Sequence, residues 1–296
     1  MTLPPFADVR AQIDQLWIYP VKSCAGIALS EVELTPTGLR WDRHWMVVDS
    51  EGGFVTQREL PRMALIQPVF IEGGFELHAP GMAPLTLLFE AAGPALVVTV
   101  WGETVSALDM GDAAAQWFSD CLGGDAPNEL TRLRLVRFDP GARRVCSPKW
   151  TRGHEAWTQF ADGFGLLVSS TASLVELNAR LAQGGYPPVA MSRFRPNIVL
   201  AGIEAHDEDR IGPWRVATDE GDAVLDNVKP CARCPIPNID PLTARASSEV
   251  SDTLQTYRQD RRLGGAVTFG MNAIALEGLG QVLRVGQPVV ADWRFD

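Results

Sequence analysis

Basic residues are in the minority in this chain. The sequence has 26 lysines and arginines against 36 aspartates and glutamates, a formal net charge of -10. It therefore lacks the basic surface that general nucleic-acid or anionic-membrane binding requires, although one small basic pocket for an anionic ligand remains compatible. No run of about 18 apolar residues is present, so no spanning helix is expected. Met1 to Arg10 carries no basic stretch followed by an apolar core, so no signal peptide is expected either. The 5 cysteines are odd in number and mostly isolated, which excludes a disulfide framework and fits reduced thiols in a cytoplasm-like compartment. The glycine run of a P-loop and the Rossmann fingerprint are also missing.

What remains is an ordinary globular composition, 46% hydrophobic and 21% charged over 296 residues, enough for two compact units. The first 110 residues or so read as β-rich. Short apolar or alternating segments at 16–20, 27–34, 44–49, 54–57, 64–71 and 96–100 are separated by Gly, Pro and Asp turns, as in a barrel or sandwich. Helical spacing follows at 111–122, where Asp112 could cap the start, and at 170–183, stopped by Gly184-Gly185. Strands resume at 197–200, 214–218, 224–228, 273–276 and 289–293, and the proline-rich segment 230–240 reads as a loop. The boundary between units is expected within 139–157, where Pro140, Gly141 and Pro148 sit among Arg143, Arg144, Lys149 and Arg152.

Three groups of residues could carry chemistry. Cys231-Ala232-Arg233-Cys234 admits several readings. A zinc site needs further ligand pairs, which the other cysteines and histidines do not form. A redox pair should open a helix, which the prolines after Cys234 disfavour. A single thiolate could instead bind a transition metal, with Lys229 and Arg233 supplying positive charge beside it, or the pair could sit in a surface loop without a role. Tyr19-Pro20-Val21-Lys22-Ser23-Cys24 offers an ammonium and a hydroxyl to a phosphate, or merely a solvent-facing lysine. Arg43 and Arg195 lie beside apolar runs, either paired with a carboxylate such as Asp42 or reaching an anion.

Taken together these segments resemble the MOSC family, in the branch with an added N-terminal β-barrel that holds the mitochondrial amidoxime-reducing components and the YcbX-like bacterial proteins. The resemblance rests on several matches in fixed order. Tyr19 to Cys24 with Gly26 come first, then Gly38-Leu39, Asp42 to Trp45, and Thr56-Gln57-Arg58 with Pro61-Arg62. Phe160-Ala161-Asp162-Gly163, Arg193 to Asn197, Cys231 to Cys234, Asp240-Pro241 and Gly286 follow.

The resemblance implies a mixed α/β, β-rich fold, with an N-terminal barrel-like domain at 12–125 and a MOSC β-barrel domain with a few helices at 145–294. It further implies a molybdenum–molybdopterin cofactor between the two, and at family level pyridoxal phosphate binding. Carried over residue by residue, Cys234 binds the metal and is the catalytic residue. Lys22, Ser23 and Arg43 hold the phosphate end, while Arg195, Asn197, Asp162, Gly163 and Phe164 contact the pterin side, and Arg58 joins this set. Gly163 and Phe164 replace a hydroxyl-bearing pair, so they offer backbone contacts alone. The implied activity is reduction of N-hydroxylated compounds with electrons from a separate ferredoxin- or cytochrome-type donor and its reductase, since no iron–sulfur domain, transit peptide or membrane anchor is read here. The alternative is a cofactor-binding or sulfur-carrier role in cofactor maturation.

Overall fold

The computed structural model describes residues 7–91, 93–124 and 132–295. Seven strands close into a barrel. In order around it they are Leu166–Ser170, Ile198–Ala201, Val9–Ile18, Pro288–Trp293, Ile211–Thr218, Gly221–Ala232 and Ala266–Glu277, the last pairing back to the first. Alternation along each strand fills the interior: Ile13, Leu16, Val168, Ile198, Leu200, Trp214, Val216, Leu225 and Val289 form one buried cluster. One pair alone is parallel, Val168 to Ser170 beside Ile198 to Leu200. A parallel pair requires a crossover, and the helix Thr171–Gln183 supplies it. Ser170 caps that helix by accepting from Ser173 N, and Gly184 ends it.

The second lobe contains a four-stranded sheet (Trp45–Val48, Arg134–Phe138, Glu103–Asp109, Ala95–Val100) and a three-stranded one (Gln67–Ile71, Gly74–His78, Leu85–Leu88). The helix Asp112–Leu122 packs with them around Trp45, Phe75, Leu77, Trp117, Phe118 and Leu135. The lobes are threaded together. Val9–Ile18 is a barrel strand although it lies in the N-terminal part, and it runs straight into Tyr19 to Cys24 of the other lobe. Segment 160–165 then returns to the barrel, pinned where Gly38 and Gly165 meet. A Cβ on Gly38, at φ 118°, would come 2.2 Å from Gly165 O, so no side chain fits there.

Several local expectations are corrected. Segment 54–57 is no strand: beyond a bridge at Phe54, it is a turn in which Thr56 N donates to Glu59 Oε2 at 3.0 Å. Ala64 belongs to a 3-10 helix that begins at Pro61, because proline suits the first helical position and cannot donate to a sheet. Gly111, not Asp112, occupies the cap position of the first helix. The expected loop at 230–240 begins later, since the strand Gly221–Ala232 carries Pro230 and Cys231 through two register shifts. No helix among the described residues is long and apolar enough to cross a membrane.

Candidate functional site

Where the lobes meet, a cavity of about 420 Å³ opens. Its lining takes in Lys22, Ser23, Arg43, Arg58, Asp162, Gly163, Phe164, Arg195, Asn197 and Cys234 together, the full set singled out from the sequence. Six cations line it (Lys22, Arg43, Arg58, Arg195, Lys229, Arg233) against one carboxylate, Asp162. In a chain of net charge -10 this is a local reversal of sign.

Lys22 enters from the end of the barrel strand Val9–Ile18. Its backbone N–H donates to Trp45 O at 2.8 Å, and its Nζ donates to Phe160 O at 2.8 Å and Asp162 Oδ1 at 2.5 Å. Burial pushes the Lys22 ammonium below its ordinary pKa, and the facing Asp162 carboxylate works against that shift. Desolvation within the cavity opposes the charge on the largely exposed Asp162, yet the Lys22 ammonium and a 2.9 Å bond from Trp101 Nε1 hold this carboxyl below the usual range. Arg144 fixes the segment behind it, donating to Gln159 O at 2.9 Å, to Ala161 O, and to Asp162 O at 2.9 Å.

Arg43 spans the two lobes. It grips the buried Asp42 through 2.7 and 2.6 Å bonds, then reaches Asn197 Oδ1 at 3.2 Å and Arg195 O at 3.0 Å. Arg195 donates to Cys24 O at 2.6 Å. Both guanidinium groups lie over the Tyr19 ring, at 4.4 and 4.2 Å from its centroid. Gly26 makes room for that ring, since a Cβ there would come within 2.5 Å of it. Burial lowers Arg195 to about 10, with the Arg43 charge adding to the effect, so it stays protonated at neutral pH. Asn197 is structural as well: its Oδ1 accepts from Leu167 N at 3.0 Å and its Nδ2 donates to Trp17 O at 3.2 Å.

Cys234 lies just past the strand Gly221–Ala232, half-buried on the barrel rim. Beside it Arg233 donates to Cys231 Sγ at 3.0 Å and to Phe194 O at 3.0 Å. Arg195 Nη2 and Arg233 Nε are buried without a hydrogen-bond partner among the described residues. Such atoms are rare in a folded protein and call for an explanation. Ser23, Arg43, Trp101 and Arg195 also hold positive φ (68, 51, 53 and 58°), half of the non-glycine residues that do so among those described. Strain concentrated around one cavity points to function.

Sequence reasoning missed some of the lining. Trp101 sits 45% exposed at the tip of the hairpin joining Ala95–Val100 to Glu103–Asp109, with its ring 4.9 Å from Arg58 Cζ. The turn at Trp101-Gly102 was a readable signal for that hairpin; its meeting with Asp162 was not. Asn272 likewise lines the cavity without a motif that announces it, while Thr56 and Phe194 lie in segments that carry the resemblance but were given no role.

Comparison with known proteins finds relatives over 94% of the chain. Residues 10–125 match the MOSC N-terminal beta barrel domain and residues 155–290 match the MOSC domain. Mitochondrial amidoxime-reducing component 1 of Mus musculus is 36% identical over 290 residues, covering 94% of this chain and 81% of that protein. The Homo sapiens component 1 is 34% identical over 296 residues, with 94% and 82% covered. Component 2 of Rattus norvegicus is 33% identical over 294 residues, with the same coverage, 94% and 82%. The chain therefore belongs to the MOSC family, in the group with an N-terminal MOSC barrel.

Proposed function

We propose that this MOSC protein is a molybdenum-cofactor oxidoreductase that removes oxygen from N-hydroxylated compounds of the amidoxime or hydroxylamine type. The observation that carries the reading is a single cavity uniting a thiol with six cations in an acidic chain. The substrate class comes from the names of the relatives.

The residues present fit a cofactor with an anionic tail. The partnerless Arg195 Nη2 and Arg233 Nε are donors that such a group would satisfy. Lys22, Ser23 and Arg43 would hold the phosphate end. Arg195, Asn197 and the segment Asp162 to Phe164 would face the pterin, Arg58 would join the cofactor-binding set, and Cys234 would be the thiolate ligand of the metal. When bound, the group supplies two-electron chemistry, and the net reaction converts R–NHOH, two electrons and two protons to R–NH2 and water. The protein keeps the charges in place. Arg195 remains cationic, and Asp162 remains an anion that orients Lys22 and Trp101. Electrons would come from a separate ferredoxin- or cytochrome-type donor.

The test uses protein made in a cofactor-competent host, elemental analysis, mass spectrometry of the released pterin, and turnover of benzamidoxime with a small reductant. About one molybdenum per chain is expected. Cys234→Ser should lose the metal and lower turnover by more than about 100-fold, because a hydroxyl replaces a soft ligand. The reading fails if that variant keeps its metal and full turnover, or if Cys234 carries a persulfide in protein devoid of molybdenum, which is the behaviour of a sulfur carrier.

A further inference from the structure

One cation in the cavity has no polar partner among the described residues. Lys22, Arg43, Arg58, Arg195 and Arg233 each donate to an oxygen or sulfur. Lys229 lines the same space, yet its Nζ has neither a hydrogen-bond acceptor nor an ion-pair partner among the described residues. It stands instead 5.7 Å from the Trp150 ring centroid and 5.9 Å from that of Phe164. The backbone explains the placement. Register shifts between Asn227 and Lys229 and between Pro230 and Ala232 flank it, and bulges of this kind re-aim side chains. Asn272 Nδ2 donates to Lys229 O at 3.3 Å and fixes the main chain there. The same strand then leads to Cys231 and, just beyond its end, Cys234.

An ammonium that faces two rings and no acceptor still has its hydrogen-bond donors to offer. Of the two rings beside it Phe164 lines the cavity and favours a flat ligand, and the ammonium charge favours an anion. The phosphate clamp proposed above uses Lys22 and Arg43 from the other lobe, so Lys229 is left over for whatever approaches the thiol. We propose that Lys229 determines substrate specificity: with Phe164, which lines the cavity beside it, it selects planar, aromatic N-hydroxylated substrates bearing a negative substituent such as a carboxylate, and it disfavours cationic ones. This rests on the reading of the site as an N-oxygen reductase.

The experiment compares the holoenzyme with Lys229→Gln and Lys229→Arg on three substrates: benzamidoxime, its 4-carboxylate and its 4-trimethylammonium derivative. A small reductant supplies electrons, and molybdenum content and melting temperature are measured first. The wild type should prefer the carboxylate, then the neutral compound, then the cation. Lys229→Gln should raise KM for the carboxylate about tenfold with kcat unchanged, the size of one charge-assisted contact in a partly solvated site. The neutral substrate should change less than about twofold, and Lys229→Arg should restore the preference. Equal behaviour of Lys229→Gln on all three substrates overturns the proposal. So does molybdenum loss matching the loss of activity, which would make Lys229 a cofactor residue. If even the wild type fails to turn over benzamidoxime, the reductase reading has failed. Calorimetric titration of the 4-carboxylate into wild type and Lys229→Gln then still decides the charge preference by itself.

Discussion

The two walls of the cavity hold their cations in opposite ways. On the N-terminal side each is already matched: Lys22 with Phe160 O and Asp162, Arg43 with both oxygens of Asp42. On the barrel side Arg195 and Arg233 each keep one buried nitrogen unpaired, and Lys229 has no polar partner among the described residues. A matched wall is a rigid clamp, built before any ligand arrives, and its residues also hold the fold together. An unmatched wall has bonds left to make, so its residues should matter more to ligands than to stability. Substitutions on the two sides should separate along this line.

Arg43→Met should have the largest effect on stability. Asp42 is buried, its side chain 2% exposed, and burial already pushes its carboxyl above the ordinary value with Arg43 opposing the shift. Removing the guanidinium leaves a buried carboxylate supported by the Tyr19 N–H, at a cost of about 3–5 kcal/mol in denaturant unfolding. Asp42→Asn added to Arg43→Met should recover much of that loss. Arg233→Met is the counterpart from the barrel side. It gives up two bonds, to Cys231 Sγ and Phe194 O, while its Nε makes none. About 1 kcal/mol of stability should go, and molybdenum retention through purification should fall further than the fold does. Similar unfolding losses in the two variants would erase the distinction between the walls.

Residues of both walls were legible in the sequence. Lys22, Ser23 and Arg43 stand in short segments whose character is local, an apolar strand broken by a charge, and Arg195 is flagged in the same way. Cys234 is marked by its spacing from Cys231. The barrel interior follows from period-two alternation, visible in Ile13, Leu166, Val168, Ile198 and Leu200. Its closure does not, because Gln12 pairs with Ala201 and Val9 with Ala291, and no local pattern encodes partners so distant in the chain. For the same reason Arg144 reads as a linker residue, although its side chain donates to Gln159, Ala161 and Asp162 from a buried position. The strand Glu103–Asp109 was open to detection through buried Val105 and Ala107. That Lys229 has no hydrogen-bond or ion-pair partner among the described residues cannot be read from sequence, since it depends on what the surrounding elements fail to bring near it.

The smallest effect is expected where a matched pair meets solvent. Asp162 faces Lys22, but its side chain is 64% exposed, so screening limits the pair to under about 1 kcal/mol. Because its carboxyl in the folded protein titrates below the ordinary carboxylate range, the pair stabilises fully above about pH 4. That contribution is lost as pH falls through the lowered value, where the folded state must take up a proton. Asp162→Asn should therefore melt slightly below wild type at neutral pH, with the difference shrinking in acid; a difference that grows in acid would refute the assignment. The same variant removes the carboxylate charge facing Lys22, leaving its Nζ with Phe160 O and a neutral amide oxygen. Calorimetric titration of cofactor-free protein with inorganic phosphate should then show tighter binding than wild type. Unchanged affinity would mean that Asp162 never competes with an anion for Lys22, and the contrast between the walls would have to rest on Arg195, Arg233 and Lys229.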